Sequence, residues 1–326
     1  MYELISIQQQ ARWQRILDAF CITDVYYTTQ YFSGALKLDP GSALLFYYQD
    51  DQGEVAYPFI KRPIGDDDTV FFDVTTPYGY GGPVFKVEGN QEQLVSNFRK
   101  AFGEFCRKEK IIAEYIRFHP LKNNAAVVKK ELKLFPLYET FTINLKENFV
   151  PAQKQSDLIV KKLGTVRHLF EFLVLYYSAA RRKEETDSYF FFTNDYFESL
   201  ISSMGSNLHL FGVYYDNKLV VACYVLAMGD TIYYHLEGSA SEIDYEKTMP
   251  ILLSKIAEWG EENYYSFFHL GGDVFETPHQ VSSIKKELAN CKPALFTMGQ
   301  KIYDHQTFNR LVSLRDEDII RKYRNI

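Results

Sequence analysis

Two glycine-ended runs bring together the residue types from which a reaction centre can be built. They are Thr76-Pro77-Tyr78-Gly79-Tyr80-Gly81-Gly82-Pro83 and Phe268-His269-Leu270-Gly271-Gly272-Asp273, about 190 residues apart. Each follows a run that reads as a buried strand, Val70 to Val74 and Tyr265 to Phe268. Glycine at a strand exit allows a sharp turn and lets another group approach bare peptide. A ligand held on main-chain N–H groups needs that geometry, and so does a tight loop with no ligand. Histidines stand close to both kinds of strand end, His119 in Phe118-His119-Pro120-Leu121 and His269 in the second run. Either has the type for proton relay near neutral pH, and either suits a structural hydrogen bond. Asp273 can act as a base or cap a following helix. His235 and Glu237 alternate along a strand, but no third ligand joins them at metal-site spacing, so no metal is expected. No Ser-His-Asp or Cys-His signature stands out either.

The elements that must hold these residues repeat in order. Ala43 to Tyr48 and Val55 to Ile60 flank Asp50-Asp51-Gln52-Gly53, a hairpin signal, and Thr69 to Val74 makes a third strand. A helix follows with Leu94, Phe98, Ala101, Phe102 and Phe105 on one stripe. Glu114 to Phe118 reads as strand, Asn123 to Leu132 as helix and Tyr138 to Leu145 as strand. The second half gives the same order: Leu208 to Tyr214, the turn Asp216-Asn217, Leu219 to Leu226, then Thr231 to Leu236. Its first helix is capped by Thr248, with Pro250 near the first turn and a stripe of Ile251, Leu252, Ile256 and Trp259. A strand to Leu270, a helix from Val281 to Leu288 and a strand at Ala294 to Met298 complete it. Helices over roughly Val166 to Arg182 and Asn194 to Met204 precede this second set.

The expected fold is therefore α/β, two similar domains each with a mixed sheet. Pro151 and its polar neighbours place the boundary, giving domains 1–152 and 153–300 and a segment 301–326. In this frame His119 and His269 occupy equivalent strand ends, where ligands of open α/β sheets tend to sit.

Composition narrows the function classes. The chain has 326 residues, 46% of them hydrophobic and 24% charged, as in a soluble globular protein. A net charge of −6 argues against non-specific DNA binding, though not against a local basic groove. The start has no signal-peptide pattern and no stretch is apolar enough to span a membrane. Cys21, Cys106, Cys223 and Cys291 form no CxxC pair and fit reduced thiols in a cytoplasmic protein. The 25 Tyr and 26 Phe are mostly core and strand residues, but many tyrosines also suit a cleft that packs on sugar or amide surfaces.

Taken with Ile116-Arg117-Phe118-His119-Pro120-Leu121, the two glycine runs resemble the FemAB-type branch of the GNAT acyltransferase superfamily. Tyr177 with Arg182, the run Tyr234-His235-Leu236-Glu237-Gly238-Ser239, and Ser283-Ile284-Lys285 in place of the family's Arg-Phe-Lys extend the resemblance from about Asp24 to Tyr303. It implies two tandem GNAT-like domains, as in bacterial FemX-like proteins, with 301–326 returning to the first. The implied activity is amide formation, an amine of a cell-envelope precursor such as an amino sugar or peptidoglycan peptide attacking an acyl or aminoacyl group. The donor is acyl-CoA or aminoacyl-tRNA. The acidic charge and the lack of a helical arm lean toward the thioester, with tRNA the less favoured partner. Chains with the Tyr-Gly-Tyr-Gly-Gly-Pro loop resemble the polysaccharide branch more than the peptide-bridge branch.

The resemblance gives the residues roles. Lys285 becomes the leading catalytic candidate, able to stabilise negative charge on a carbonyl, a phosphate or a leaving group, with His269 and Asp273 beside it. Tyr78, Tyr80, Arg117, His119, Arg182 and Tyr234 become substrate-binding candidates, and Gly81, Gly82, Gly271 and Gly272 candidates for main-chain contacts to an oxyanion. The usual phosphate clamp of acetyltransferases is missing. The equivalent stretch, Gly238 to Lys247, carries Glu242, Asp244 and Glu246, which would repel a pyrophosphate. A non-catalytic binding protein on the same scaffold is the competing class. Neither the acyl group, nor the acceptor, nor the assembly state is readable from the residues.

Overall fold

The computed structural model describes residues 1–64, 71–147, 149–152, 157–182, 190–272 and 281–314. The chain forms two compact units, one of Met1–Leu137 with Phe296–Ile326, the other of Tyr138–Leu295. The element order is duplicated more completely than the sequence suggests. The first half runs β1 (Tyr2–Ser6), α1 (Gln10–Ala19), α2 (Thr29–Ala35), β2 (Ser42–Asp50), β3 (Gly53–Ile64), β4 (Phe71–Thr75), β5 (Val84–Val87), α3 (Gln91–Lys108), β6 (Ile111–Arg117), α4 (Asn124–Val127) and β7 (Lys133–Asn144). The second runs β8 (Leu158–Leu163), α5 (Leu169–Arg182), α6 (Asn194–Met204), β9 (Leu208–Tyr215), β10 (Lys218–Met228), β11 (Thr231–Ser239), α7 (Tyr245–Glu262), β12 (Phe267–Gly271), α8 (Val281–Leu288) and β13 (Ala294–Ile302), and ends in α9 (His305–Leu314). Apart from β5 and α9, the two lists match element for element.

In the first unit the strands run β1-β2-β3-β4-β6, with β5 on β3, and β13 closes the row beside β6. In the second they run β8-β9-β10-β11-β12, and β7 closes the row beside β12. Each unit thus takes its last strand from the other half of the sequence. The unit limits fall inside β7 and β13, not at 152/153 and 300/301. Pro151 marks a change in local composition, whereas the partner of a strand is decided by distant residues. Both sheets are mixed, with β4 parallel to β6 and β11 parallel to β12.

Local chemistry accounts for the elements. The β9–β10 hairpin turns on Asp216 and Asn217, both left-handed at φ 47° and 59°, the pattern of a two-residue turn that matches strand twist. The stripe of α3 drives Leu94, Phe98, Phe102 and Phe105 against Phe46, Tyr57 and Phe59 of the first sheet. In the second unit Leu252 and Ile256 of α7 pack on Val213, Val225, Ile232 and Phe268.

Two expected helices differ. The one expected from Asn123 to Leu132 is helical only over α4. There Asn124 turns its amide inward to Gly81 O at 2.8 Å, and this tertiary bond outweighs local propensity. The helix expected to be capped by Thr248 begins earlier, at Tyr245. Asp244 is the cap, accepting from Lys247 N at 3.2 Å, and an aspartate serves there as well as a threonine. Thr248 instead donates to the Asp244 carbonyl at 2.8 Å, and Pro250 stands inside the helix.

Candidate functional site

In the first unit the loop after β4 is packed by the protein's own groups. Gly81 pairs with Phe118 across a parallel bridge, and its carbonyl accepts from His119 N at 3.1 Å. Gly82 has φ +96°, and a β-carbon there would lie 2.9 Å from the Asn124 amide and 3.0 Å from the Phe118 ring. Its bare backbone is thus required by internal packing. Tyr31 donates to the Tyr78 carbonyl at 2.6 Å, and Thr76 Oγ1 accepts from Arg117 N at 2.9 Å. Burial pushes the half-buried Tyr78 phenol up to about 12, against the opposing charge of the nearby Arg117. The ring of Tyr80 lies 5.2 Å from that of Tyr26 and 5.3 Å from that of His119.

His119 is 1% exposed and engaged at both ring nitrogens. Nδ1 accepts from Leu121 N at 3.2 Å, which places the proton on Nε2, 2.9 Å from the Asp24 carboxylate. Such a ring is held in place, and its lone pair is spent on the backbone. The structure therefore brings Tyr78, Tyr80, Gly81, Gly82, Arg117 and His119 together around one loop, with Asp24 and Asn124 as its internal fasteners.

In the second unit a tighter cluster forms on the face of β11 that packs against α7. The register of β10 on β11 steps from Tyr224 opposite Leu236 to Val225 opposite Tyr234, so His235 is the extra residue of a bulge. This shift governs the site. Residues three apart on a regular strand point to opposite faces. With His235 bulged, Tyr234 and Glu237 lie on the same face, opposite Val225 and Cys223 respectively. Tyr234 Oη donates to Glu237 Oε2, and Tyr245 Oη donates to the same oxygen at 2.8 Å. No hydrogen bond to Glu237 Oε1 occurs among the described residues, and Glu237 is partly exposed.

Lys285, on α8, reaches this cluster. Its Nζ donates to the Gly272 carbonyl at 3.1 Å and lies 5.0 Å from the centre of the Tyr234 ring, with the residue only 5% exposed. Burial pushes the Tyr234 phenol well up, and the Glu237 carboxylate adds to the rise. Burial, then Glu237, pushes the Cys223 thiol well up, while the His235 N–H, Lys285 and the Tyr234 hydroxyl act the other way. Three side chains from three elements thus converge on Glu237 and Tyr234: a buried cation, a phenol and a thiol.

The other predicted residues sit around this group. Gly271 is left-handed at φ +68°, where β12 bulges between His269 and Gly271. A β-carbon on Gly272 would lie 2.4 Å from the Tyr138 ring and 2.5 Å from the Glu139 carbonyl. His269 is 1% exposed, with Nδ1 2.9 Å from Thr142 Oγ1. Arg182 donates to Ser239 O at 2.8 Å and to its hydroxyl at 3.0 Å, fastening the end of α5 to the end of β11. Asp273 lies outside the described residues. On the other face of β11, His235 Nε2 is 2.7 Å from Tyr196 Oη, and burial drives the imidazole down to about 3, so it stays neutral.

Glu237 and Tyr245 gain weight that spacing alone did not give them. On a regular strand Glu237 pairs with His235, and the bulge that turns it toward Tyr234 has no local signature. Among the described residues no group of three His, Cys, Asp or Glu is placed to hold a metal.

Residues 156–278 match the family model described as an acetyltransferase (GNAT) domain. The structure is similar to that of FemX, with a TM-score of 0.64 at 12% identity, covering 96% of this chain and 99% of that one. It is also similar to a tandem GNAT protein from the clavulanic acid biosynthesis pathway, with a TM-score of 0.55 at 9% identity, covering 93% and 99%. L-PGS from Bacillus licheniformis gives a TM-score of 0.51 at 13% identity, covering 92% and 96%. No curated protein matches the sequence. The fold is that of a tandem GNAT protein of the FemX type, as the sequence motifs imply.

Proposed function

We propose that this protein is an N-acyltransferase that moves an acyl or aminoacyl group onto an amine of a cell-envelope precursor. The observation that carries the reading is the convergence of Lys285, Tyr234, Tyr245 and Glu237 on one face of β11. Amide formation needs three things: a neutral amine, a stabilised oxyanion and aligned reactants. Alignment alone supplies roughly 7–11 kcal/mol, and one oxyanion donor about 3 kcal/mol. No nucleophilic side chain is required.

The cluster has groups for the first two needs. Oε1 of Glu237 takes the proton that the amine loses as its nitrogen bonds to the acyl carbon. Tyr234 and Tyr245 hold the carboxylate in place through Oε2. The Lys285 ammonium stabilises charge on the carbonyl oxygen, and then on the sulfur or ribose oxygen that departs and takes up a proton. Arg182 and His269 shape the edges of the β11 site, and Tyr78, Tyr80 and Arg117 surround a second candidate binding loop, in the first unit. The acyl donor is a coenzyme A thioester in preference to a charged tRNA, in keeping with the acidic chain. An amino sugar is the acceptor class we favour over a peptidoglycan peptide.

One observation favours a second reading, a binding protein without catalysis. The N-terminus of α7, where a pyrophosphate would be cradled by backbone N–H groups, is already capped by Asp244 and carries Glu246 in its first turn. Thermal denaturation against coenzyme A, acetyl-CoA and a nucleotide amino sugar, followed by mass spectrometry of the mixture, separates the two. A saturable rise in Tm with an amide product establishes transfer. A rise without product establishes the binding protein.

A further inference from the structure

The outer face of α5 is apolar where a helix of this kind has no core left to cover. Its inner side is fully used. Phe172, Leu175 and Tyr176 are buried, and the helix backbone is seated so closely on β11 that a β-carbon on Gly238 would lie 2.3 Å from Tyr176 N. Outward, Val166 in the turn before the helix is 73% exposed, Phe170 76% and Val174 51%. Their spacing of four places them in one row.

Charge decides what this row meets. Residues 166–182 carry Arg167, Arg181 and Arg182 against one carboxylate, Glu171, and all four are exposed. The segment is locally basic in a chain whose net charge is −6. On the same side of the sheet as α5, edge strand β8 adds Ile159, 50% exposed, and exposed Lys161. The alternate residues Leu158 and Val160 pack into the core under α7. Apolar side chains flanked by arginines suit the boundary between acyl chains and anionic headgroups, where the rings and methyls enter and the guanidinium groups stay at phosphate level. A second copy of this chain fits less well, because a two-fold contact would set the same arginines against themselves.

We propose that the row Val166, Phe170 and Val174, with Arg167 and Arg181, seats this protein on an anionic lipid bilayer surface. The attachment is peripheral: no helix among the described residues is long and apolar enough to cross a membrane. The proposal does not depend on the reaction assigned to the β11 site.

Co-sedimentation of the full chain with vesicles tests it. Vesicles of equimolar phosphatidylglycerol and phosphatidylcholine should carry the protein down, vesicles of phosphatidylcholine alone should not, and added salt should release it. Phe170→Glu and Arg181→Glu should each weaken the partition by about tenfold or more. Tyr264→Ser, at a 94% exposed aromatic outside this face, should leave it unchanged. Three outcomes overturn the proposal: equal binding to both vesicle types, no binding to either, or anionic binding that Phe170→Glu does not weaken. A concentration-dependent dimer that Phe170→Glu dissociates, without vesicle binding, would assign the face to self-association instead.

Discussion

The Lys285 ammonium lies 5.0 Å from the centre of the Tyr234 ring while donating to the Gly272 carbonyl at 3.1 Å. A short helix thereby delivers a cation to the exit of one strand and over an aromatic ring on the next. A cation over a ring face, partly desolvated, is attracted by about 1–2 kcal/mol. An oxyanion developing beside this ammonium would meet a fixed positive charge in a water-poor setting.

Lys285→Met should therefore abolish acyl transfer while keeping the apolar stem in place. Loss of the donor to Gly272 should cost about 1–3 kcal/mol of stability, a modest fall in Tm. Product formation by mass spectrometry, paired with thermal denaturation, checks both halves. Near-normal turnover would remove Lys285 from the mechanism.

Glu237→Gln separates chemistry from structure at the same site. Glutamine keeps an oxygen to accept from Tyr234 and Tyr245, so the fold should hold. The variant cannot take a proton from an amine, and turnover should fall by about 10²–10⁴-fold. Tyr245→Phe removes one of the two bonds to Oε2 and should cost less. A Glu237→Gln enzyme with unchanged kcat at every pH would show that the amine loses its proton to water.

Much of this was legible in the residues, and the part that was not has a common cause. The hairpins at Asp50–Gly53 and Asp216–Asn217, the stripe of α3, the duplicated order and the strand-end glycines follow from periodicity and turn chemistry. The exchange of β7 and β13 between the units does not, because strand pairing is decided by contacts far along the chain. The bulge at His235 is hidden for the same reason, and with it the pairing of Tyr234 with Glu237. His119 stands just past the end of β6 and His269 in the middle of β12, not at equivalent strand ends, and their hydrogen bonds to Asp24, the Leu121 N–H and Thr142 are tertiary facts. The β1–α1–α2 opening carries little local signal: the first helix has only ten residues, lacks a side-chain cap, and shows a short apolar stripe of Trp13, Ile16 and Leu17.

The first unit has its own titration to test. Arg99 of α3 forks onto Glu114 of β6 at 3.0 and 2.5 Å, and Tyr303, just after β13, donates to Glu114 at 2.8 Å. Burial alone would raise the Glu114 carboxyl, but the Arg99 charge and the bonds from Arg99 and Tyr303 outweigh it and hold it below its usual value. A lowered carboxylate stabilises the fold above its unfolded value of about 4.3, and that contribution is lost as pH falls through the folded value. Tyr303→Phe removes one of the bonds that lower Glu114, so it should lower Tm at neutral pH and make the fall of Tm below about pH 5 shallower than in the parent. Glu114→Gln leaves Arg99 buried without its countercharge and should cost about 3–5 kcal/mol at neutral pH. An unchanged acid transition in Tyr303→Phe would show that the network does not tie the returning segment down.

In the second unit a buried base predicts a loss of stability in the same direction, beginning at a higher pH. His235 is driven by burial to about 3, far under its ordinary value near 6.5. Below pH 6.5 the unfolded chain binds this proton and the folded chain does not, so His235 costs stability progressively from about pH 6.5 down to about 3. His235→Gln can keep a partner for Tyr196 Oη without titrating. Its Tm should depend less on pH across that window than the parent's, measured by differential scanning calorimetry. Equal slopes would mean the imidazole is solvated in the folded state.

Two glycines with positive φ offer a last contrast. Gly205 follows α6 at φ +52°, and a β-carbon there meets nothing within 4 Å. Gly82 has φ +96°, with Asn124, Phe118 and Ile116 side chains 2.9–3.1 Å from where the β-carbon would stand. Gly205→Ala faces only the strain of a β-carbon at φ +52° and ψ −120°, about 1–3 kcal/mol. Gly82→Ala faces positive-φ strain of its own and must also push aside the Asn124 amide that bonds the Gly81 carbonyl, so it should lose at least about 2 kcal/mol more. If the loop after β4 is a binding loop, Gly82→Ala should also weaken acceptor binding where Gly205→Ala does not. Chemical denaturation of both variants, with KM for the acceptor, decides it. Equal destabilisation of the two would show that the Gly82 loop yields easily and that packing there does not require glycine.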